Sequence, residues 1–294
     1  QVSLAVVQPG ESSKTLQVAE SLYTQALNAN LDRSSSIIAL GGGVVGDLAG
    51  FIAATYMRGI NFIQIPTTLL AQVDSSVGGK VAVNHPLAKN IIGSFYQPKS
   101  VYINISTLST LPHRQFSTGM AELIKYGFIW DSEFLGWLES NIESLMLKQK
   151  DVLAYAIQRC CEIKADIVGQ DEKETGLRAI LNFGHTIGHG LESITGYNRY
   201  THGEAVALGM VYESLMALHT GLVDQSLVNL LIDLLTAANL PTEIMEVDVK
   251  SLIQAMTHDK KNKSDSIVFI LPTGYGKVSI FDDVDKKLIY EIFK

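Results

Sequence analysis

The period of the apolar residues changes at Pro112, and that change bounds the folds open to the chain. Before it, short apolar runs alternate with stretches of helical spacing. Val2 to Val7 is followed by Leu16, Ala19, Leu22, Tyr23, Ala26 and Leu27, and then by Ser34 to Leu40, Leu48 to Tyr56, Ile60 to Ile65 and Ser100 to Ile105. Strand, helix, strand in this order predicts a parallel α/β sheet of nucleotide-binding type. From Phe116 to Asn239 apolar residues recur three or four apart and strand signals nearly vanish. The spacing predicts helices over Leu135 to Leu147, Val152 to Val168, Ile180 to Ser193, Glu204 to His219 and Leu227 to Ala238, with Gly169, Gly196 and Gly221 as stops. A strand pair, Ile267 to Leu271 and Lys277 to Ile280, is expected across Pro272-Thr273-Gly274-Tyr275-Gly276. Two domains follow: residues 1–112 and residues 113–294.

With 294 residues and 47% hydrophobic residues, the chain can bury a large core, which excludes a disordered or disulfide-stapled protein. The 30 acidic against 23 basic residues argue against nucleic acid as a partner, since phosphate backbones are bound by basic surfaces. No apolar run is long enough to cross a bilayer, so no membrane role is expected and a cytoplasmic location is. Cys160 and Cys161 are adjacent and unsuited to an ordinary disulfide, which fits a reducing compartment. The chain opens on Gln1 and goes at once into a strand-like run. Upstream strands are therefore expected to be missing from the sheet.

Gly41-Gly42-Gly43-Val44-Val45-Gly46-Asp47 lies between a predicted strand and a predicted helix. Such a turn brings backbone N–H groups and a helix N-terminus up to a phosphate, or else it needs glycine only for its backbone geometry. No acidic residue ends a second strand about 20 residues later, so the dinucleotide fingerprint is incomplete.

Three of the seven histidines, His185, His189 and His202, fall within 18 positions. His185 and His189 are four apart and share a helix face, as two metal ligands or one ligand and one acid/base group can. A hydrogen-bonded core pair fits the same spacing, and the third histidine favours metal. A catalytic site needs three protein ligands and an open position. Glu122, an acidic residue among apolar neighbours, qualifies as the third, although it could also pair with Lys125. Arg58, Lys80, Lys89, Lys125, Lys164, Arg178 and Lys260 stand in otherwise apolar or glycine-rich segments. Each could be a solvated surface charge, but Lys80 follows Gly78-Gly79, where an anion could reach both amine and backbone.

These residues together resemble the 3-dehydroquinate synthase family of sugar phosphate cyclases, from about Pro9 to Gly276. The motifs that carry the resemblance are Gly41 to Asp47, Tyr56-Met57-Arg58-Gly59, Pro66 to Lys80, Gly119 to Lys125, Asn182 to Glu192 and His202-Gly203-Glu204-Ala205-Val206, all in the family's order. The resemblance implies a Rossmann-like α/β domain that binds NAD and a mainly helical, metal-binding C-terminal domain. It implies a divalent metal, zinc or cobalt, held by Glu122, His185 and His202, with His189 left for proton transfer or orientation. For NAD it implies Glu11 and Lys14 at the adenosine half, and Gly42, Gly43, Val44, Asp47, Thr67, Thr68, Lys80, Lys89, Thr110 and Leu111 along the rest. For a phosphorylated sugar acid substrate it implies Asp74, Lys80, Asn90, Lys125, Lys164, Arg178, Asn182, His189 and Lys260. Arg58 would reach the phosphate in a neighbouring subunit of a homodimer.

The family's reaction converts 3-deoxy-D-arabino-heptulosonate 7-phosphate to 3-dehydroquinate and phosphate. It proceeds by transient oxidation with NAD, phosphate elimination, re-reduction and aldol closure, and the phosphate can act as its own base. Sister cyclases making inosose or valiolone products are an alternative; the resemblance implies other residues there at the positions of Asn182, His189 and Lys260, which favours the dehydroquinate type. A metal-dependent alcohol dehydrogenase of the glycerol dehydrogenase type shares the fold but needs no cluster of phosphate-binding cations. A non-catalytic relative would be marked by a lost ligand, and all three candidates are present. The family carries a further N-terminal segment with an acidic residue on the adenosine ribose, which this sequence lacks. The 294-residue chain is therefore expected to bind NAD weakly or to fold poorly; tight binding in a calorimetric titration would overturn this.

Overall fold

A computed structural model describes residues 2–257 and 267–293. The chain divides into two compact units, residues 1–111 and 112–294.

In the first unit, α1 (Leu16–Asn28) starts at Thr15, whose side chain accepts the N–H of Val18. Strand β1 (Ser36–Gly41) leads through the glycine turn into α2 (Gly43–Thr55), and β2 (Asn61–Pro66) returns parallel to β1. A parallel pair requires a crossover, and α2 supplies it. After β3 (Lys80–His85) and β4 (Ala88–Phe95), which form an antiparallel hairpin, β5 (Ser100–Val101) joins β2 to give the order β1-β2-β5. The core lies between α2 and the strands, where Leu48, Ile52, Phe62, Val81 and Val83 are buried with Ala19 of α1. The opposite face of β1 shows Ile38 and Leu40 to solvent.

Three expectations change here. Val2 to Val7 forms no strand among the described residues, and Val2, Leu4 and Val6 stay exposed. Apolar alternation becomes a strand only where a neighbouring edge supplies hydrogen bonds. The strand expected over Ser100 to Ile105 ends at Val101, because Asn104 accepts the N–H of Ser106 at 3.0 Å and opens a 3₁₀ turn over Ile105–Thr110. The hairpin β3–β4 is not expected from the sequence. Its signal is one short alternation, Val81 and Val83 buried toward α2, next to a glycine pair that reads as a loop.

The second unit is built on α3 (His113–Ile129), in which every residue from Phe116 to Ile129 is buried. Around it run α4 (Ser132–Met146), α5 (Lys150–Gln170), α6 (His185–Ile194), α7 (His202–His219), α8 (Gln225–Ala237) and α9 (Val249–Thr257), then the hairpin β6 (Phe269–Gly274) and β7 (Lys277–Phe281), and α10 (Lys286–Ile292). Asp131, Asp224 and Asp285 cap α4, α8 and α10, and Thr201 with Glu204 forms a reciprocal capping box at α7. Ile187, Leu191, Leu208, Met216, Leu252 and Phe269 form the core between α6, α7, α9 and β6.

The single helix expected over Ile180 to Ser193 is two pieces, a 3₁₀ turn at Leu177–Asn182 and α6, because Gly184 sits in the left-handed region at φ 80° and breaks the helical path. Gly169 is no stop, since α5 runs one residue past it, whereas Gly196 and Gly221 follow α6 and α7 with positive φ. Among the described residues no helix is long and apolar enough to cross a membrane.

Glycine sets how closely α3, α6 and α7 approach. A Cβ at Gly203 would lie 2.1 Å from the Thr118 carbonyl oxygen, and one at Gly209 would lie 1.8 Å from that of Gly184. Gly203→Ala should therefore destabilise the protein by about 1–3 kcal/mol, read as a lower urea midpoint with an unchanged slope.

Candidate metal centre and cofactor-binding residues

Glu122 is fully buried in the middle of α3, and its Oε2 is paired with Lys125 Nζ one turn on. The Glu122–Lys125 pair read from the sequence thus exists, but in the core, where removing both charges from water is costly. The other oxygen, Oε1, faces two histidines: His185 Nε2 at 3.3 Å and His202 Nε2 at 3.4 Å. Both histidines are the first residues of their helices, α6 and α7, so the close approach of α7 to α3 and of α6 to α7 brings the rings together.

Each imidazole is held by its outer nitrogen. His185 Nδ1 lies 3.1 Å from the Phe183 carbonyl oxygen, and His202 Nδ1 lies 3.4 Å from Glu192 Oε2. Such contacts fix the ring and leave Nε2 directed inward, as metal-ligating histidines require. Neither Glu122 oxygen accepts a hydrogen bond of regular geometry. Two donors of a tetrahedral zinc, each at about 2.1 Å from the ion, stand about 3.4 Å apart, which matches the separations between Glu122 Oε1 and the two Nε2 atoms. The three residues therefore fit a divalent metal.

The protonation of these three groups follows from their burial and from one another's charge. Burial, and then the nearby Lys125 charge, lower the His185 pKa to about 4, so its ring is neutral. For His202 burial opposes protonation, but the Glu122 and Glu192 carboxylates outweigh it and raise its pKa to about 10. Burial also works against the Glu122 anion, yet Lys125 and His185 hold its pKa well below the usual carboxylate range.

His189 stands one turn along α6, its ring centroid 5.4 Å from that of His185 and 6.1 Å from that of His202. With Glu192 and His202 it forms a second, overlapping group of possible metal donors. Glu122, His185 and His202 are the better set, because Glu192 is placed against the outer nitrogen of His202 rather than its inward one.

Three further cations of the second unit that the sequence could not separate from surface charges are buried: Lys125, Lys164 on α5 and Arg178. Arg178 donates from Nη1 to the Glu172 carbonyl at 2.6 Å, and Asn182 donates to Glu174 Oε1 at 3.1 Å and to the Ala179 carbonyl at 3.0 Å. Their loop is organised by Asp171, whose carboxylate accepts the N–H groups of Thr175, Gly176 and Arg178 at 2.9, 2.8 and 3.0 Å. Lys260 lies outside the described residues.

In the first unit, Gly42 precedes α2 without a side-chain cap, so the first N–H groups of the helix, at Gly43 and Val44, are open to an anion. Glycine is also needed there for space: a Cβ at Gly42 would meet Thr68 Cγ2 at 3.0 Å and one at Gly43 would meet Ser75 Oγ at 3.0 Å. Thr67 donates its N–H to the Gly41 carbonyl, and Asp74 lies in a π-helical turn at Ala71–Ser75. Lys14 is buried and its Nζ meets both Asp47 Oδ2 and Asn90 Oδ1, with Glu11 Oε1 at 3.8 Å. The structure thus gathers Glu11, Lys14, Asp47 and Asn90 into one cluster. Lys80, singled out in the sequence, is exposed at the start of β3, and Lys89 is half-buried on β4. Thr110 and Leu111 close the 3₁₀ turn that follows β5. Arg58 is exposed with φ 67°.

A sequence profile of the 3-dehydroquinate synthase N-terminal domain matches residues 4–118, and one of the C-terminal domain matches residues 119–262. The chain belongs to the 3-dehydroquinate synthase family. It is 54% identical over 284 residues, 96% of this chain and 79% of the relative, to the 3-dehydroquinate synthase of Desulforamulus reducens. Among solved structures, 2-epi-5-epi-valiolone synthase from Streptomyces hygroscopicus subsp. jinggangensis, with NAD⁺ and Zn²⁺ bound, is 26% identical. It superposes with a TM-score of 0.91 over 98% of this chain and 80% of that one. A 2-deoxy-scyllo-inosose synthase complexed with carbaglucose-6-phosphate, NAD⁺ and Co²⁺ is 33% identical, with a TM-score of 0.89 over 97% and 81% of the two chains. The family's dehydroquinate-forming members are thus nearer in sequence than these two sister cyclases, and the dehydroquinate synthase-like fold is shared by all.

Reading residues along the sequence misses Glu192 as a partner of His202, and Asp171 as the organiser of the loop bearing Arg178. The signal for Asp171 is nonetheless there: an acidic residue at a helix end, followed by a short polar stretch through Gly176. Its three backbone donors, Thr175 first, lower its pKa from 3.8 to about 2. A depressed carboxylate pKa stabilises the fold above the unfolded value, and this contribution is lost as pH falls through 3.8 toward 2. Hydrogen exchange of the Thr175, Gly176 and Arg178 amides, corrected for intrinsic rates, should lose protection over that range, and Asp171→Ala should remove it at all pH values.

Proposed function

We propose that the chain converts 3-deoxy-D-arabino-heptulosonate 7-phosphate to 3-dehydroquinate and phosphate, with Glu122, His185 and His202 holding a divalent metal. The observation that carries this reading is the buried three-donor cluster at 3.3 and 3.4 Å separations, in a chain 54% identical to a 3-dehydroquinate synthase. When bound, the metal supplies Lewis acidity at a substrate oxygen and NAD supplies reversible hydride acceptance.

The chain's own residues then have distinct tasks. Lys125 stays on Glu122 Oε2 and so keeps Oε1 turned to the two histidines. Lys164 and Arg178, buried cations, offer charge-assisted hydrogen bonds to the carboxylate and phosphate of the substrate, and Asn182 orients a hydroxyl. His189, beside the ligand pair, holds or moves a proton, with the substrate phosphate itself as a second base. In the first unit, the open N–H groups at Gly43 and Val44, flanked by Gly42, Thr67 and Thr68, receive the diphosphate of NAD. The Lys14–Asp47 pair, Glu11, Thr110 and Leu111 are assigned to its riboses and nicotinamide. Asp74, Asn90 and Lys260 are assigned to the substrate, Lys89 to NAD and Lys80 to both, and Arg58 to the phosphate held by a second copy in a homodimer.

The test follows phosphate and NADH together in the 294-residue chain with zinc, saturating NAD and the heptulosonate phosphate. Phosphate should appear without accumulated NADH and stop on chelation; NADH accumulating without phosphate would establish an ordinary dehydrogenase instead. Glu122→Gln should lower turnover at least as far as the loss of an outer-sphere partner does, about 10–100-fold.

A further inference from the structure

Glu213 is a fully buried carboxylate that none of the roles above uses. It lies on α7, and its Oε2 accepts the backbone N–H of Gly184 at 2.6 Å. Gly184 is the residue before His185. It precedes α6 in the left-handed conformation, with no side chain that could cap the helix. Glu213 therefore reaches across from a neighbouring helix to accept the N–H of the residue that caps α6, a task usually left to a local side chain.

The turn is held at each of its other groups as well. The Phe183 carbonyl faces His185 Nδ1 at 3.1 Å. The Gly184 carbonyl accepts the N–H of Gly188 at 3.0 Å and lies against Gly209, one turn before Glu213 on α7. A side chain at Gly184 would strike Met210 Cγ at 2.5 Å and the Val206 carbonyl oxygen at 2.6 Å. Of these contacts the Glu213 hydrogen bond is the one that a side chain makes from another element to the backbone bearing His185. His202 begins the same helix, 11 residues before Glu213, which is three turns along nearly the same face. One rigid helix thus carries one metal donor and grips the backbone that presents another.

We infer that Glu213 is a positioning residue: by accepting the Gly184 N–H it sets where His185 Nε2 stands relative to Glu122 and His202, and so tunes metal affinity without touching the metal. A leucine would satisfy a role in packing alone, and a buried carboxylate is an expensive replacement for one. The inference rests on the reading of Glu122, His185 and His202 as metal ligands.

The experiment uses the full chain stripped of metal and reloaded with Zn²⁺ against a chromophoric chelator, or with Co²⁺ for its visible d–d spectrum. Glu213→Leu should weaken Zn²⁺ binding about 10–100-fold, the range for lost outer-sphere partners, and should alter the Co²⁺ bands. Glu213→Gln keeps an acceptor oxygen and should restore both. If the leucine variant does not fold, Glu213→Asp makes the same comparison: it retains the charge but is one methylene short, and it should bind metal weakly. Unchanged affinity and spectrum in the leucine or aspartate variant would overturn the inference, as would a glutamine variant as impaired as leucine. Failure of the unsubstituted chain to take up either metal would overturn the ligand assignment itself and this inference with it, and is seen before any variant is compared.

Discussion

The second unit is organised around one charge that water cannot reach. Glu122 stands on a helix buried from Phe116 to Ile129, and a carboxylate there is tolerable only if cations or a metal surround it. Lys125 answers one oxygen and two imidazoles answer the other. Everything that brings those imidazoles in depends on backbone proximity. Gly203 lets α7 lie on α3 at Thr118, and Gly184, Gly188 and Gly209 let α6 lie on α7. Side chains at these points would move the helices apart and strand the carboxylate.

The same need explains why several carboxylates recur around the histidines at a distance from the donor atoms. Glu192 takes the outer nitrogen of His202, and Glu204 closes a capping box with Thr201 while also pairing with Arg114 through two contacts of 2.7 Å. That pairing ties the start of α3 to the start of α7, where His202 stands. Precision in such a centre comes from these outer contacts, since a ligand on a loose backbone cannot hold its atom within a fraction of an ångström.

In the first unit the sheet presents its glycine turn at the C-terminal end of β1, where open parallel sheets place their ligands. The buried Lys14 is the organising cation, joining Asp47 on α2 to Asn90 on β4. Residues 33 and 76 positions from Lys14 meet there, and no local pattern announces such a meeting.

Much of this protein is legible in its amino-acid sequence. The change of period at Pro112, the strand-turn-helix at Gly41 to Asp47, the clustered histidines and the ordered motifs point to the family and to Glu122, His185 and His202. These are local or compositional signals, and hydrophobic period and glycine geometry are local physics. What the tertiary structure decided was burial and partnership. Lys80 reads as the distinctive cation and is exposed, while Lys125, Lys164 and Arg178 read as ordinary and are buried. The helix expected from Ile180 to Ser193 breaks at Gly184, and Glu213 lies 29 residues from the N–H it receives. Whether a charged side chain lies in water or in a core depends on which distant elements pack over it, and a single chain of letters carries that only through the fold.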